Sequence, residues 1–238
     1  MAWFWALSAW TALSGGCKPD PTPEPLAFGI FEISVRPSFN GTALQTGLYY
    51  TLDSLRVRID TLQILTTGPD FDGGASFFDR PYLYSFTAGT GKTTHGPGVY
   101  YVFDVEAKKY SGARLRCGLP DGVSDSARPS DFAEDHPLGA RAGMFHGGKY
   151  AHLKVVGKVV ADGDTAAFRW FLTQSPFEWA TPQAFEIRKG REVQWALETE
   201  WSQFFSRFSP LNHPEIGDSA QKFVSDFRVA TYSYLNEY

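Results

Sequence analysis

Cysteine is nearly missing from this chain: 238 residues hold two, Cys17 and Cys117, far apart and unlike in context. No internal disulfide framework is expected, so stability has to come from packing. Methionine is as scarce, with Met144 the only one beyond the start. A basic stripe is lacking as well. Lys and Arg number 22 against 26 Asp and Glu, the formal charge is -4, and Lys108-Lys109 is the only adjacent lysine pair, a balance that argues against a nucleic-acid partner. Repeats and internal low-complexity segments are absent, and helical periodicity is sparse. No Gly-x-Ser-x-Gly elbow occurs, and Thr90-Gly91-Lys92-Thr93 lacks the upstream glycine of a phosphate loop, since Phe86 stands there. Asp70-Phe71-Asp72-Gly73-Gly74 and Asp162-Gly163-Asp164 lack the spaced ligands and terminal glutamate of a calcium loop and read as turns. The chain is read as non-enzymatic, with no catalytic residues.

What is present begins with an apolar run, Met1 to Gly16, too short to span a bilayer as a mature helix and ending in Ser14-Gly15-Gly16-Cys17. Residues 1–16 are expected to be a lipoprotein-type signal peptide and Cys17 the lipidated residue, although no Lys or Arg precedes the run. Four prolines between Lys18 and Pro25 make residues 17–26 a semi-extended tether. Cys117, alternating with arginines, is expected to be a buried strand residue.

The full chain is 43% hydrophobic and 16% aromatic, enough for residues 27–238 to bury a sizeable β core. Phe31, Ile33 and Val35 share one parity and stop at Pro37; Leu55, Val57 and Ile59 alternate with arginines. Further short runs at 82–86, 99–105, 113–119, 153–160 and 166–172 are divided by Gly, Pro, Asp and Ser, and Asp162-Gly163-Asp164 marks a hairpin. The spacing predicts a mainly β fold, an antiparallel sandwich or barrel. One terminal amphipathic helix is predicted over Ser219 to Tyr234, with Asp218 as N-cap. Trp170, Trp179, Trp195 and Trp201 are read as core or rim aromatics.

The stretch from Asp135 to His152 gathers three of the five histidines with Met144. Imidazole and thioether suit copper, whereas a structural zinc site wants four closed N or S ligands. If Met144 to Val156 runs extended, Met144, His146, Tyr150 and His152 project to one face; Gly147-Gly148 leaves room for a bend. His136, beside Glu134 and Asp135, is a further candidate, while His95 and His213 look like loop surface residues. Such a site would lose affinity in acid, since neutral imidazole is the ligand form.

In order, Phe31-Glu32-Ile33-Ser34-Val35, Phe39-Asn40-Gly41-Thr42-Ala43-Leu44, Asp53-Ser54-Leu55-Arg56-Val57, Leu62-Gln63-Ile64-Leu65, the run Leu115 to Val123, His136-Pro137-Leu138, Gly143-Met144 and Gly148-Lys149-Tyr150 resemble the landmarks of the MbnP-like family. These are bacterial copper-binding proteins associated with methanobactin systems. The resemblance covers about residues 27 to 238. It implies copper, as Cu(I) or Cu(II), in an exported, lipid-anchored domain of the periplasm or outer membrane, and it matches His136 and Met144; with His146 and His152 from the residue reading, these four are the candidate ligands. It also implies a diheme cytochrome c peroxidase-type partner and an outer-membrane transporter. The family's tryptophans after Gly-Met are replaced by Phe145-His146-Gly147-Gly148, so its oxidation of tryptophan to kynurenine is not carried over. The competing reading is a metal-free envelope interaction protein built on the same domain. A weaker third is an envelope enzyme acting on glycans.

Overall fold

The computed structural model describes residues 27–87, 98–174 and 176–238; the signal peptide, Cys17, the tether and His95 lie outside them. In chain order the strands are β1 (Phe28–Phe39), β2 (Thr42–Ala43), β3 (Tyr49–Leu52), β4 (Leu55–Thr66), β5 (Asp70–Phe71), β6 (Tyr82–Thr87), β7 (Val99–Glu106), β8 (Lys109–Tyr110) and β9 (Ala113–Cys117). After helix α1 (Asp121–Ser126) come β10 (Phe145–His146), β11 (Lys149–Tyr150), β12 (Leu153–Ala161), β13 (Asp164–Leu172), β14 (Phe177–Ala180), β15 (Phe185–Glu186) and β16 (Glu192–Glu200). Helices α2 (Trp201–Arg207) and α3 (Ala220–Val229) and strand β17 (Thr231–Glu237) complete the domain.

Two sheets face each other as a sandwich. The first runs β17-β16-β1-β2, with β7 also on β1; the second runs β13-β12-β4-β9-β14, with β3 and β6 on β4 and β5 on β9. Inward-facing Phe31, Ile33, Val35, Val57, Ile59, Val155 and Leu197 meet in one core. The pairings are antiparallel as expected, except that β1 and β16 run parallel, from Ile30 opposite Glu192 to Ser38 opposite Glu200. The long stretch between them leaves ample chain for the crossover a parallel pair requires.

Pro37 does not end β1. Val35 donates its N–H to the Gly98 carbonyl, so the nitrogen of Pro37, two residues on, points to the same edge. There β7 has ended opposite Ser34 and β2 begins only opposite Ser38, so no donor is required of Pro37. Asp162-Gly163 makes the expected hairpin, with both residues at positive φ.

The terminal helix is shorter than predicted. Phe223, Phe227 and Ala230 are buried as the spacing requires, but the chain then turns into β17, whose residues from Thr231 to Glu237 pair with β16. Seven ladder partners outweigh five more helical residues. Asp218 is not the N-cap: it lies in a short 3-10 turn over Gly217–Ser219, and Ser219 holds the cap position without a side-chain bond.

Aromatic packing supplies what disulfides do not. Trp170 is fully buried among Phe168, Phe204, Phe205, Phe208 and Phe223, with ring centroids 4.6–5.8 Å away. Trp179, Trp195 and Trp201 are buried as expected, and so is Cys117, a free cysteine in β9. A smaller apolar cluster lies on the other side of the second sheet: Leu65 and Leu83 of that sheet meet Leu119, Leu138, Ala142, Met144 and Tyr150. The stretch carrying the histidines is therefore the cover of this sheet's outer face.

Candidate metal site

Gly147 and Gly148, at φ +59° and +85°, turn the chain back so that β10 and β11 form a two-residue hairpin, Phe145 opposite Tyr150 and His146 opposite Lys149. The amide of Ala151 donates to the Met144 carbonyl at 2.7 Å and extends the pairing by one step. Partners across a hairpin project to the same side. Met144, His146, Lys149 and Ala151 thus share one side, and Phe145 and Tyr150 the other. The extended reading, which put Met144, His146, Tyr150 and His152 on one face, is corrected by the turn: a reversal after His146 changes which positions are companions.

Met144 is 1% exposed within the small apolar cluster. His146 is exposed, and its ring stacks on Phe171 of β13 at 4.2 Å and 11°. Beyond it open two recesses of about 330 Å³ each, sharing His146, Phe171 and Ile216 in their walls. Glu215 and Arg169 border one, and Asp218 and Gln174 the other. Nothing in the spacing marks Phe171 or Glu215 as neighbours of His146; they are distant in sequence and meet it only through the sheet.

His136 sits elsewhere. Its ring stacks on Phe132 at 4.7 Å and its Nδ1 accepts the Leu138 N–H at 3.1 Å, which fixes it within its own loop. Tyr150 ties the same loop to the hairpin, donating its hydroxyl to the Leu138 carbonyl at 2.7 Å.

His152 is 3% exposed at the entrance to β12. Its N–H donates to Leu172 at 2.6 Å, its carbonyl accepts from Leu65, and its ring lies against the α-carbon of Gly118. The neighbouring Lys154 donates Nζ to the Gly143 carbonyl at 3.1 Å and spans the Phe171 ring at 5.8 Å; burial draws its pKa down. His213, expected on the surface, is half-buried and stacked on Phe208 at 4.4 Å.

The three histidines therefore occupy three surroundings. Among the described residues no group of three or more His, Cys, Asp or Glu is gathered in a way that could hold a metal ion. The thiol of Cys117, fully buried, is pushed well above its usual range by desolvation and is no ready thiolate ligand. What remains is Met144 and His146 on one side of the hairpin, a buried thioether two residues from an exposed imidazole. Thioether and imidazole are donor types that suit copper, and two donors fall short of the four that a closed zinc site requires.

No family model matches the chain, and no curated protein matches it. Among solved structures it is similar to MbnP from Methylosinus trichosporium, with a TM-score of 0.46 and 12% identity over 74% of this chain and 77% of that chain, a distant likeness.

Proposed function

We propose that the protein is an exported, lipid-anchored, non-enzymatic copper-binding protein for metal acquisition, storage or transfer, and that Met144 and His146 are its principal ligands. The observation that supports the reading is their shared side of the hairpin: Met144 is buried in the small apolar cluster, and the imidazole of His146, two residues on, is exposed to solvent. Low-coordinate soft donors select Cu(I), the ion this pair would hold. His136 and His152 serve, in this reading, to fix the loop and the start of β12 that hold the hairpin. Cys17 carries the lipid, and a diheme cytochrome and an outer-membrane transporter are the proposed partners.

Anaerobic Cu(I) titration of the intact protein against a chromophoric chelator tests the site. The wild type takes up one Cu(I); His146→Ala and Met144→Leu each weaken uptake about tenfold or more, equivalent to about 1.4 kcal/mol or more. His136→Ala stays near wild type. Absence of stoichiometric uptake, or wild-type titration by both ligand variants, refutes the assignment. Anchoring is tested separately: Cys17→Ser loses labelled palmitate and leaves the membrane fraction.

A second reading, a metal-free envelope protein that holds a partner through the same domain, is favoured by the exposed aromatic rings of Tyr101 and Phe103 on the opposite sheet.

A further inference from the structure

We propose that the recess between the free edge of β14 and helix α3 binds the carboxyl end of a short apolar peptide. The Glu178 backbone pairs with it as a strand would, Arg228 holds its terminal carboxylate, and Val224 and Val229 receive its side chains. The site is built from elements other than the histidine segment and does not depend on the copper reading.

β14 ends the second sheet, and no described strand pairs with its outer edge. Thr181 donates its N–H to the Ala113 carbonyl, so alternation turns the backbone groups of Glu178 and Ala180 away from β9, toward that open side. There the Ala180 carbonyl accepts from the Ser233 hydroxyl of β17 at 3.4 Å, and Pro176 has no N–H to offer. Glu178 is left as a single open rung. One rung suits the end of a peptide and falls short of what a second copy's strand needs, since strand addition draws its affinity from a run of main-chain bonds.

On the helix side, Gln221, Val224, Ser225 and Arg228 recur at the spacing of one helix face. With β14 and Arg116 of β9 they border a recess of about 870 Å³, within the roughly 300–1,000 Å³ of small-ligand sites. The walls are fixed to each other beneath it, because the Phe227 ring packs on Phe177 at 5.9 Å and on Trp179 at 6.3 Å. A solvated cleft between helix and sheet is the ordinary reading, and the lining stands against it. Round the helix, Lys222 is engaged by Asp226 and donates to the Arg207 carbonyl at 2.8 Å. In the cleft, the side chains of Glu178, Gln221, Ser225 and Arg228 make no hydrogen bond or ion pair with any described residue. Two guanidinium groups against one carboxylate leave the lining positive, and a guanidinium fork grips a carboxylate through two N–H bonds. The Glu178 carboxylate disfavours a simple anion such as a fatty acid and suits the N–H groups of a peptide. Val229, half exposed, and Val224, partly buried, supply the apolar floor for a side chain.

The experiment is calorimetric titration of the intact, copper-free protein with the tripeptide alanyl-leucyl-valine, with its C-terminal amide, and with octanoate. Saturable binding of the free acid is expected, weakened about tenfold or more by amidation and by Arg228→Gln, with octanoate weaker by a similar factor. Ser225→Trp, which fills the recess from an exposed helix position, is expected to abolish binding while both variants melt like wild type. No saturable heat from the tripeptide at millimolar concentration overturns the proposal, as does an amide, or an Arg228→Gln variant, that binds like the wild-type pair. Octanoate binding as tightly as the tripeptide overturns it by assigning the recess to a simple anion. Sedimentation as a dimer that Ser225→Trp dissolves overturns it by assigning the edge to a second copy.

Discussion

Gly118 offers the sharpest test of how the histidine segment is seated. It follows β9 at φ +103°, and a β-carbon built there falls 2.2 Å from Nδ1 of His152 and 2.7 Å from its Cγ and Cε1. Gly118→Ala therefore incurs two costs. The backbone conformation is one that L-residues avoid, at about 1–2 kcal/mol. The ring, only 3% exposed and backed by β12, must move, and overpacking of this kind costs about 1–3 kcal/mol. Together they come to about 2–5 kcal/mol, a large share of a stability of about 5–15 kcal/mol. Gly122→Ala is the control: that exposed position in α1 has no heavy atom within 4 Å of an added β-carbon, so the change is neutral or gains up to about 1 kcal/mol of helix propensity. Urea unfolding followed by tryptophan fluorescence reads both. A Gly118→Ala midpoint equal to wild type refutes the packing argument. The same variant probes the metal: with Met144 and His146 as ligands its Cu(I) affinity is preserved in the folded protein, whereas a ligand role for His152 makes affinity fall with stability.

Two further outcomes follow from buried groups. Glu200 accepts from the Asn40 and Gly41 amides at 2.8 and 2.9 Å, from the Ser38 hydroxyl at 3.1 Å, and from the Ser202 amide and hydroxyl at 3.1 and 2.5 Å. Burial pulls its carboxyl upward, but the bonds from Ser202, Gly41 and Asn40 outweigh it and the pKa is lowered. A lowered folded value means stability that is full above the ordinary glutamate range of about 4.3 and lost as pH falls through the folded pKa. Glu200→Gln should cost about 1–3 kcal/mol at neutral pH, with the gap to wild type closing toward pH 3; a gap constant with pH contradicts this. Cys117 should resist a thiol reagent in the native protein and react once unfolded, since desolvation disfavours its thiolate; stoichiometric native labelling would show the strand to be open.

Much of the sandwich was legible from alternation, and its failures have local causes. β1, β4, β12 and β13 read as strands because polar and apolar residues alternate along them. β16 did not, although it is the central partner of β1, because its outward positions are covered too: Gln194 is 8% exposed and Ala196 fully buried, so the run looks only aromatic-rich. The length of α3 was overread for a related reason. Tyr234 lies four residues beyond Ala230, a helical spacing, but four is also an even number, and on β17 it puts Tyr234 beside Tyr232 and Asn236 on one face. Aromatic residues at that interval satisfy both periods, and pairing with β16 decides.

The histidine segment failed differently. Gly147-Gly148 was legible as a break, and its effect depends on whether the chain bends within a strand or reverses. A bend leaves parity intact and keeps His152 with Met144 and His146. A reversal pairs His146 with Lys149 and Met144 with Ala151, and it ends the register before His152, which β12 then claims through the Leu172 carbonyl. The same turn that separates the histidines leaves Met144 and His146 on one side of the hairpin, because both precede it at alternate positions. Of the four candidate donors only Met144 and His146 lie on one side of the hairpin, and the proposed pairing of a buried thioether with an exposed imidazole is a narrower chemical claim than a histidine cluster. It requires an ion content with low coordination, and it fails if copper binds with the affinity or the spectrum of three imidazoles.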